Sequence, residues 1–163
     1  MNTLLDIVLW GIHQQVAETV SREIMKRIKD LQKILDRFDP AAETFQVNQS
    51  AHFEELEISP TLLKTIKSGV KDFHRSKGYF NIFSGEAYYN LKTRNDLSSL
   101  KLCANAPEKM IVLDESKNSI RFLHPNVTLD FGGIGKGLAL DEASTILDEM
   151  EIKNAFISFG GSS

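Results

Sequence analysis

The sequence predicts an α+β fold, a mixed β-sheet packed with helices. Apolar residues recur every three or four positions through three long stretches, ending near Phe38, Phe73 and Met150. Short apolar runs bounded by polar, Gly or Pro residues lie before, between and after them. One such run feeds directly into a glycine-rich turn and then a helical pattern. At 163 residues the chain is long enough for a real core, and a single domain over 1–163 is expected.

The elements follow in order. Residues from about Thr3 to Trp10 are mostly apolar and suit a buried strand. Val16, Val20, Ile24, Ile28, Leu31, Leu35 and Phe38 then form one apolar stripe of a long helix, and Pro40 ends it. Residues 40–58 read as polar and irregular, with Glu43–Asn48 briefly extended. Ser59-Pro60 starts a helix, Ser as N-cap and Pro at the first position. Its apolar face is Leu62, Leu63, Ile66, Val70 and Phe73, and Gly78 closes the segment. Tyr79–Phe83 is rich in aromatics and suits a strand or a ligand-facing loop. Residues 84–108 are polar and carry no clear pattern. Met110–Leu113 and Ser119–Leu123 read as two strands joined by an Asp114–Asn118 hairpin loop. Val127-Thr128-Leu129 leads into the glycine turn. The helix after it carries Leu138, Ala139, Ala143, Ile146, Leu147 and Met150, and Ala155–Phe159 is a last strand.

Composition excludes several classes. A net charge of −3 gives no electrostatic case for nucleic acid or an anionic membrane. A single cysteine, Cys103, excludes an internal disulfide and any multi-cysteine metal site. No run reaches the length of a membrane-spanning helix. The start Met1-Asn2-Thr3-Leu4-Leu5-Asp6 lacks the basic and long apolar regions of a signal peptide, so the chain as given reads as soluble. His13, His52, His74 and His124 are scattered, with no i, i+4 pair for a helical zinc site. Glu54, Glu55 and Glu57 read as a solvated patch.

The chemistry-bearing stretch is Thr128-Leu129-Asp130-Phe131-Gly132-Gly133-Ile134-Gly135-Lys136-Gly137. A glycine turn at a helix N-terminus presents unpaired N–H groups and lets a phosphate approach closely. Lys136 adds positive charge in the first helical turn, where the macrodipole disfavours it, and so suits an anion there. Asp130 can meet a metal or a polar ligand edge. Plain turn chemistry is the competing explanation. The spacing is neither the dinucleotide fingerprint nor a P-loop, since no Ser or Thr follows the lysine.

Leu129–Gly137, with Ala139 and Asp141 after it, resembles the ApbE family of flavin transferases, FAD:protein FMN transferases. Asn154–Gly161 resembles a second family motif at the right spacing. Weaker similarities are Met1-Asn2-Thr3, Phe38-Asp39-Pro40 with Val47-Asn48, and Lys77–Asn81. The resemblance implies a T-fold-related architecture, of which this chain is the N-terminal part, apparently truncated at the C-terminus. The last strand running into Gly160-Gly161-Ser162-Ser163 accords with that.

The resemblance further implies FAD as substrate, Mg²⁺, and FMN transfer to a Ser or Thr hydroxyl of a target flavoprotein. By position, Asp130 and Lys136 would contact FAD, and Gly133 would offer its carbonyl to magnesium. Met1 and Phe38 would lie near the rings, with Tyr79, Phe80 and Asn81 in the same pocket. Phe38 equally fits the helix core stripe, and Tyr79 and Phe80 equally fit packing. Asn81 stands where the family usually has Asp, and Ser162 where an Asp commonly follows Gly-Gly. The family's other metal ligands belong to a C-terminal segment. Such proteins are usually exported or membrane-anchored in bacteria. The alternatives are a truncated or degenerate FAD-binding module without transferase activity, and a fragment whose exposed sheet edge pairs with another chain as a homo-oligomer.

Overall fold

The computed structural model describes residues 4–94 and 106–160. The expected α+β class holds. Among the described residues five α-helices and one 3-10 turn accompany five strands, and these strands form two antiparallel sheets, one of two strands and one of three. The chain divides into two compact units. Unit 1 combines residues 1–33 with 132–163, and unit 2 is the continuous stretch 34–131.

In unit 1, β1 (Leu5–Leu9) pairs antiparallel with β5 (Ala155–Phe159), Leu5 opposite Phe159 and Leu9 opposite Ala155. The expectation of a buried β1 is corrected. Its residues alternate between half-buried and exposed, and Val8 is exposed beside its exposed partner Phe156. One face of this two-stranded sheet is open to solvent, so the apolar run reflects β-propensity as much as burial. Helix α1 (Gln14–Leu35) passes from unit 1 into unit 2, with Val20, Ile24, Ile28, Leu31 and Leu35 buried as the spacing predicts. Helix α5 (Gly135–Glu149) buries Ala139, Ala143 and Ile146 and packs on β5. An Arg27–Glu142 ion pair at 3.2 Å ties α5 to α1 within this unit.

Helix α1 stops at Leu35, short of Pro40. The stop is local chemistry. The Asp36 carboxylate accepts from Phe38 N–H at 2.9 Å, and the Asp39 carboxylate accepts from Ala41 N–H at 2.9 Å. Such side-chain turns compete with helix propagation. Phe38 therefore leaves the stripe and is 69% exposed, which overturns its core assignment.

The expected irregular region is also corrected, because Glu43–Ser50 forms helix α2. Its signal was masked by polar residues with structural work. Buried Thr44 donates its hydroxyl to the Ile34 carbonyl at 2.7 Å, satisfying a group near the end of α1. The Glu43 carboxylate accepts from both the N–H and the hydroxyl of Ser59, at 2.5 and 2.6 Å. Ser59 in turn caps α3 (Pro60–Arg75) by accepting from Leu62 N–H at 3.2 Å. Leu62, Leu63, Ile66 and Phe73 are buried along α3. Gly69 is buried too, because any Cβ there would collide with Ile82.

The three-stranded sheet orders β2 (Leu56–Glu57), β4 (Ser119–Phe122) and β3 (Ile111–Asp114), with β4 central. The predicted β3–β4 hairpin forms. Its turn is held by the Asp114 carboxylate, which accepts from the N–H groups of Ser116 and Lys117, and by Asn118 at φ 49°. Helix α4 (Gly85–Arg94) occupies part of the stretch that carried no clear pattern. Cys103 lies outside the described residues.

Candidate functional site

The aromatic run ends in a loop, not a strand. Residues 82–85 run beside 128–130 through three backbone hydrogen bonds. Asp130 N–H donates to the Ile82 carbonyl at 2.8 Å, Thr128 N–H to Phe83 at 3.3 Å, and Gly85 N–H to Thr128 at 3.0 Å. Ile82, Phe83 and Leu129 are fully buried beneath this ladder. Asn48, on α2, clamps it from another side. Its amide nitrogen donates to the Leu129 carbonyl at 3.0 Å and its amide oxygen accepts from Leu129 N–H at 2.8 Å. These bonds fix the backbone from which Asp130 projects.

Arg37, released by the end of α1, places its Nη1 3.1 Å from Asp130 Oδ2. The Arg37 side chain is only 10% exposed and that of Asp130 is 28% exposed. The guanidinium carbon also lies 4.8 Å from the centre of the Phe38 ring, a cation–π arrangement. Space for the guanidinium exists because residue 85 is glycine. A Cβ there would collide with Arg37 Nη1 and would lie 3.0 Å from Asp130 Cβ. Removing either charge of so enclosed a pair leaves the other poorly solvated, at a cost of several kcal/mol when burial is complete.

Unit 2 thus assembles Phe38, Asp130 and the loop bearing Asn81. Asn81 Oδ1 accepts from Phe83 N–H at 2.8 Å, so this side chain shapes the loop. Tyr79 is 95% exposed and takes no part in packing, while Phe80 is half-buried and its N–H donates to Ser76 Oγ at 2.9 Å. Ser84 Oγ, at the start of α4, is buried without a hydrogen-bond partner. Gly133 and Lys136 belong to unit 1, since the chain passes between units at Phe131–Gly132. Met1 lies outside the described residues.

At the start of α5 the N-cap residue Ile134 makes no side-chain cap, and the first turn holds no acidic residue. Added Cβ atoms at Gly135 or Gly137 would meet nothing within 4 Å. An uncapped N-terminus with open space around its glycines is suited to an anion.

Unit 2 offers an exposed aromatic in Phe38, a part-exposed carboxylate in Asp130 and a buried hydroxyl in Ser84, and unit 1 by itself offers the uncapped start of α5. Neither set by itself fits magnesium. Among the described residues no group of three or more His, Cys, Asp or Glu is placed to hold a metal, and one carbonyl at Gly133 falls far short of six oxygens.

Arg37, Gly85 and the clamping role of Asn48 were not identified from sequence. Arg37 had one available signal, a cation adjoining Phe38 just where α1 breaks.

The sequence matches the ApbE family over residues 1–163. It is 29% identical over 169 residues to the FAD:protein FMN transferase of Rhodobacter capsulatus, covering 98% of this chain and 32% of that protein. The fold is similar to that of the flavin transferase ApbE from Vibrio cholerae, with a TM-score of 0.81 at 19% identity over 99% of this chain and 55% of that one. It is also similar to the ApbE protein of Thermotoga maritima, with a TM-score of 0.76 at 19% identity over 98% and 56%. The chain therefore spans about a third of the curated relative and little more than half of the solved structures.

Proposed function

Because the chain belongs to the ApbE family, we propose that it carries the FAD-binding part of a flavin transferase. The reaction passes FMN from FAD to a Ser or Thr hydroxyl of a target flavoprotein. The hydroxyl oxygen forms a bond to the FMN phosphorus and loses its proton. The pyrophosphate bond breaks, and AMP leaves. Transfer of this kind requires alignment and charge neutralisation more than covalent help from the protein.

The observation that carries this reading is Asp130, held by Arg37 at 3.1 Å and directly preceding the glycine turn to the uncapped start of α5. In this reading Asp130 and Lys136 contact FAD. Phe38 and Met1 lie near its rings, Tyr79, Phe80 and Asn81 line the pocket, and Gly133 offers a carbonyl to Mg²⁺. The metal requirement is a property to be measured, and no step is assigned to it. Association through the β1–β5 edge belongs to the same proposal.

A second reading, FAD binding without transfer, draws on Asn81. It occupies the position of a usual family Asp, and its oxygen is engaged by Phe83 N–H.

The test is an FAD titration of the chain followed by flavin fluorescence, with and without Mg²⁺, then mass spectrometry of a Ser/Thr-bearing acceptor. Binding that strengthens with Mg²⁺ and a covalent FMN adduct support transfer. Binding with no adduct supports the second reading, and no binding rejects both.

A further inference from the structure

We propose that the outer face of the three-stranded sheet binds a small zwitterion with an apolar body, an apolar amino acid or dipeptide, between Arg121 and Glu55. The site lies wholly within unit 2 and shares no residue with the set around Asp130, so it stands apart from the flavin reading.

The face follows from the strand register. Val112 lies opposite Arg121, and Asp114 opposite Ser119. With a period of two, these four side chains share one face, while Ile111, Ile120 and Phe122 on the other are buried. The outer face opens into a shallow cavity of about 470 Å³, lined also by His52 and Leu123. Small-molecule sites run from about 300 to about 1,000 Å³. His52 is a fixed wall. Its Nδ1 lies 3.1 Å from the His124 carbonyl, which can only accept, so Nδ1 carries the proton.

The lining specifies the occupant. Lys117 Nζ lies 3.6 Å from both Glu55 Oε1 and Asp114 Oδ2, so two carboxylates share one ammonium and one negative charge is unmatched. Ser119 Oγ also donates to Glu55 Oε1, which leaves Glu55 Oε2 without a partner among the described residues. Arg121 is exposed on the same face and has no carboxylate partner among the described residues. Asp114 is held below its ordinary carboxylate value by hydrogen bonds from Ser116 and by Lys117, with no share from Arg121, so the positive pole stands apart from the negative one. Val112 and Leu123, each about half exposed, flank the guanidinium across and along the strands.

A ligand carboxylate would pair with the Arg121 fork, a ligand ammonium would donate to Glu55 Oε2, and an apolar side chain would cover Val112 and Leu123. An anion alone would leave the unmatched carboxylate charge beside it. A cation alone would leave Arg121 unpaired. A zwitterion answers both poles.

The experiment titrates leucine and the dipeptide Leu-Leu into the isotope-labelled chain and follows the amide NMR signals of Val112, Arg121 and Leu123. Each ligand is run beside its N-acetylated form, its C-amidated form and its glycine counterpart. At least one of the two should give saturable shifts, and the tighter binder reads the span between the poles. Its blocked forms and its glycine counterpart should bind at least about fivefold more weakly. Arg121→Gln should weaken the ligand about fivefold and erase its preference over the amidated form, with Tm unchanged because the side chain holds nothing in the fold. Glu55→Gln should erase the preference over the acetylated form. Should Glu55→Gln fail to fold for want of the Ser119 bond, the Arg121→Gln arm decides alone. No saturable shift with either ligand overturns the inference. So do blocked forms that bind as well as the free ligand, and so does an unchanged preference in Arg121→Gln.

Discussion

Asn48 and Leu129 exchange two hydrogen bonds across 81 residues of sequence, side-chain amide to main-chain amide, at 3.0 and 2.8 Å. Leu129 is completely buried, so its N–H and carbonyl have no recourse to water. The side chain of Asn48 stands in for a neighbouring strand and holds the residue before Asp130.

Asn48→Ala should therefore destabilise the protein by about 2–3 kcal/mol, the cost of two buried main-chain groups left unpaired. Asn48→Asp should be no milder, because its second oxygen would confront the Leu129 carbonyl. Urea denaturation checks both. An aspartate variant close to wild type would mean the donor half of the clamp is dispensable.

Gly85→Ala should cost about 1–3 kcal/mol, as overpacking does in tight sites. The new methyl would claim the position of Arg37 Nη1 and press on Thr128 O, 3.1 Å from it. Measured by thermal melting, the loss should be smaller in an Arg37→Ala background, where the guanidinium is gone. Equal losses in the two backgrounds would show that the collision with Arg37 is not the cause.

Gly137→Ala should have the opposite effect on stability. Gly137 lies in the first turn of α5 with nothing near its added Cβ, and alanine is the better helix former by up to about 1 kcal/mol. If the first turn is kept open for a phosphate, the same variant should bind FAD more weakly. A gain in Cm with unchanged FAD affinity would remove the functional reason for this glycine.

Acid should weaken the contact between α3 and the 3-10 turn at Pro107–Lys109. A hydrogen bond from its own backbone N–H, then one from His74 at 2.8 Å, holds the Glu108 carboxyl below its ordinary value of 4.5. A carboxyl lowered by folding adds stability above its unfolded pKa and loses it as pH falls through the folded value. Both partners are well exposed, so the effect should stay below about 1 kcal/mol. In urea titrations between pH 6 and pH 3, Glu108→Gln should show a shallower decline below pH 4.5 than wild type. Parallel declines would assign the acid sensitivity to other carboxylates.

The residues differ in how readily their structural roles could be read from sequence. Ser59-Pro60 declared the start of α3 because an N-cap and a first-turn proline are local signals. The β3–β4 hairpin was legible for the same reason, two apolar runs around a short polar loop. Helix α2 was not, since Glu43, Thr44 and Asn48 spend their polar groups on Ser59, Ile34 and Leu129, partners distant in sequence. The core alternative for Phe38 failed because periodicity continues through a position where the Asp36 and Asp39 turns have already ended the helix. At the candidate site the glycine turn and Asp130 were visible as a motif. Arg37 and Gly85 were not, because their significance is a fit between three segments that only the folded chain brings together.

The pairing of Leu5 with Phe159 orders the events of folding. Unit 2 is one uninterrupted stretch, 34–131, and closes on contacts available as soon as that stretch leaves the ribosome. Strand β1 precedes that stretch yet finds its hydrogen-bonding partner only after about 150 further residues, across the costliest loop closure in the described chain. Until then Leu5, Ile7 and Leu9, half-buried once β5 is in place, travel as an unpaired apolar strand, the form in which nascent chains recruit chaperones or one another.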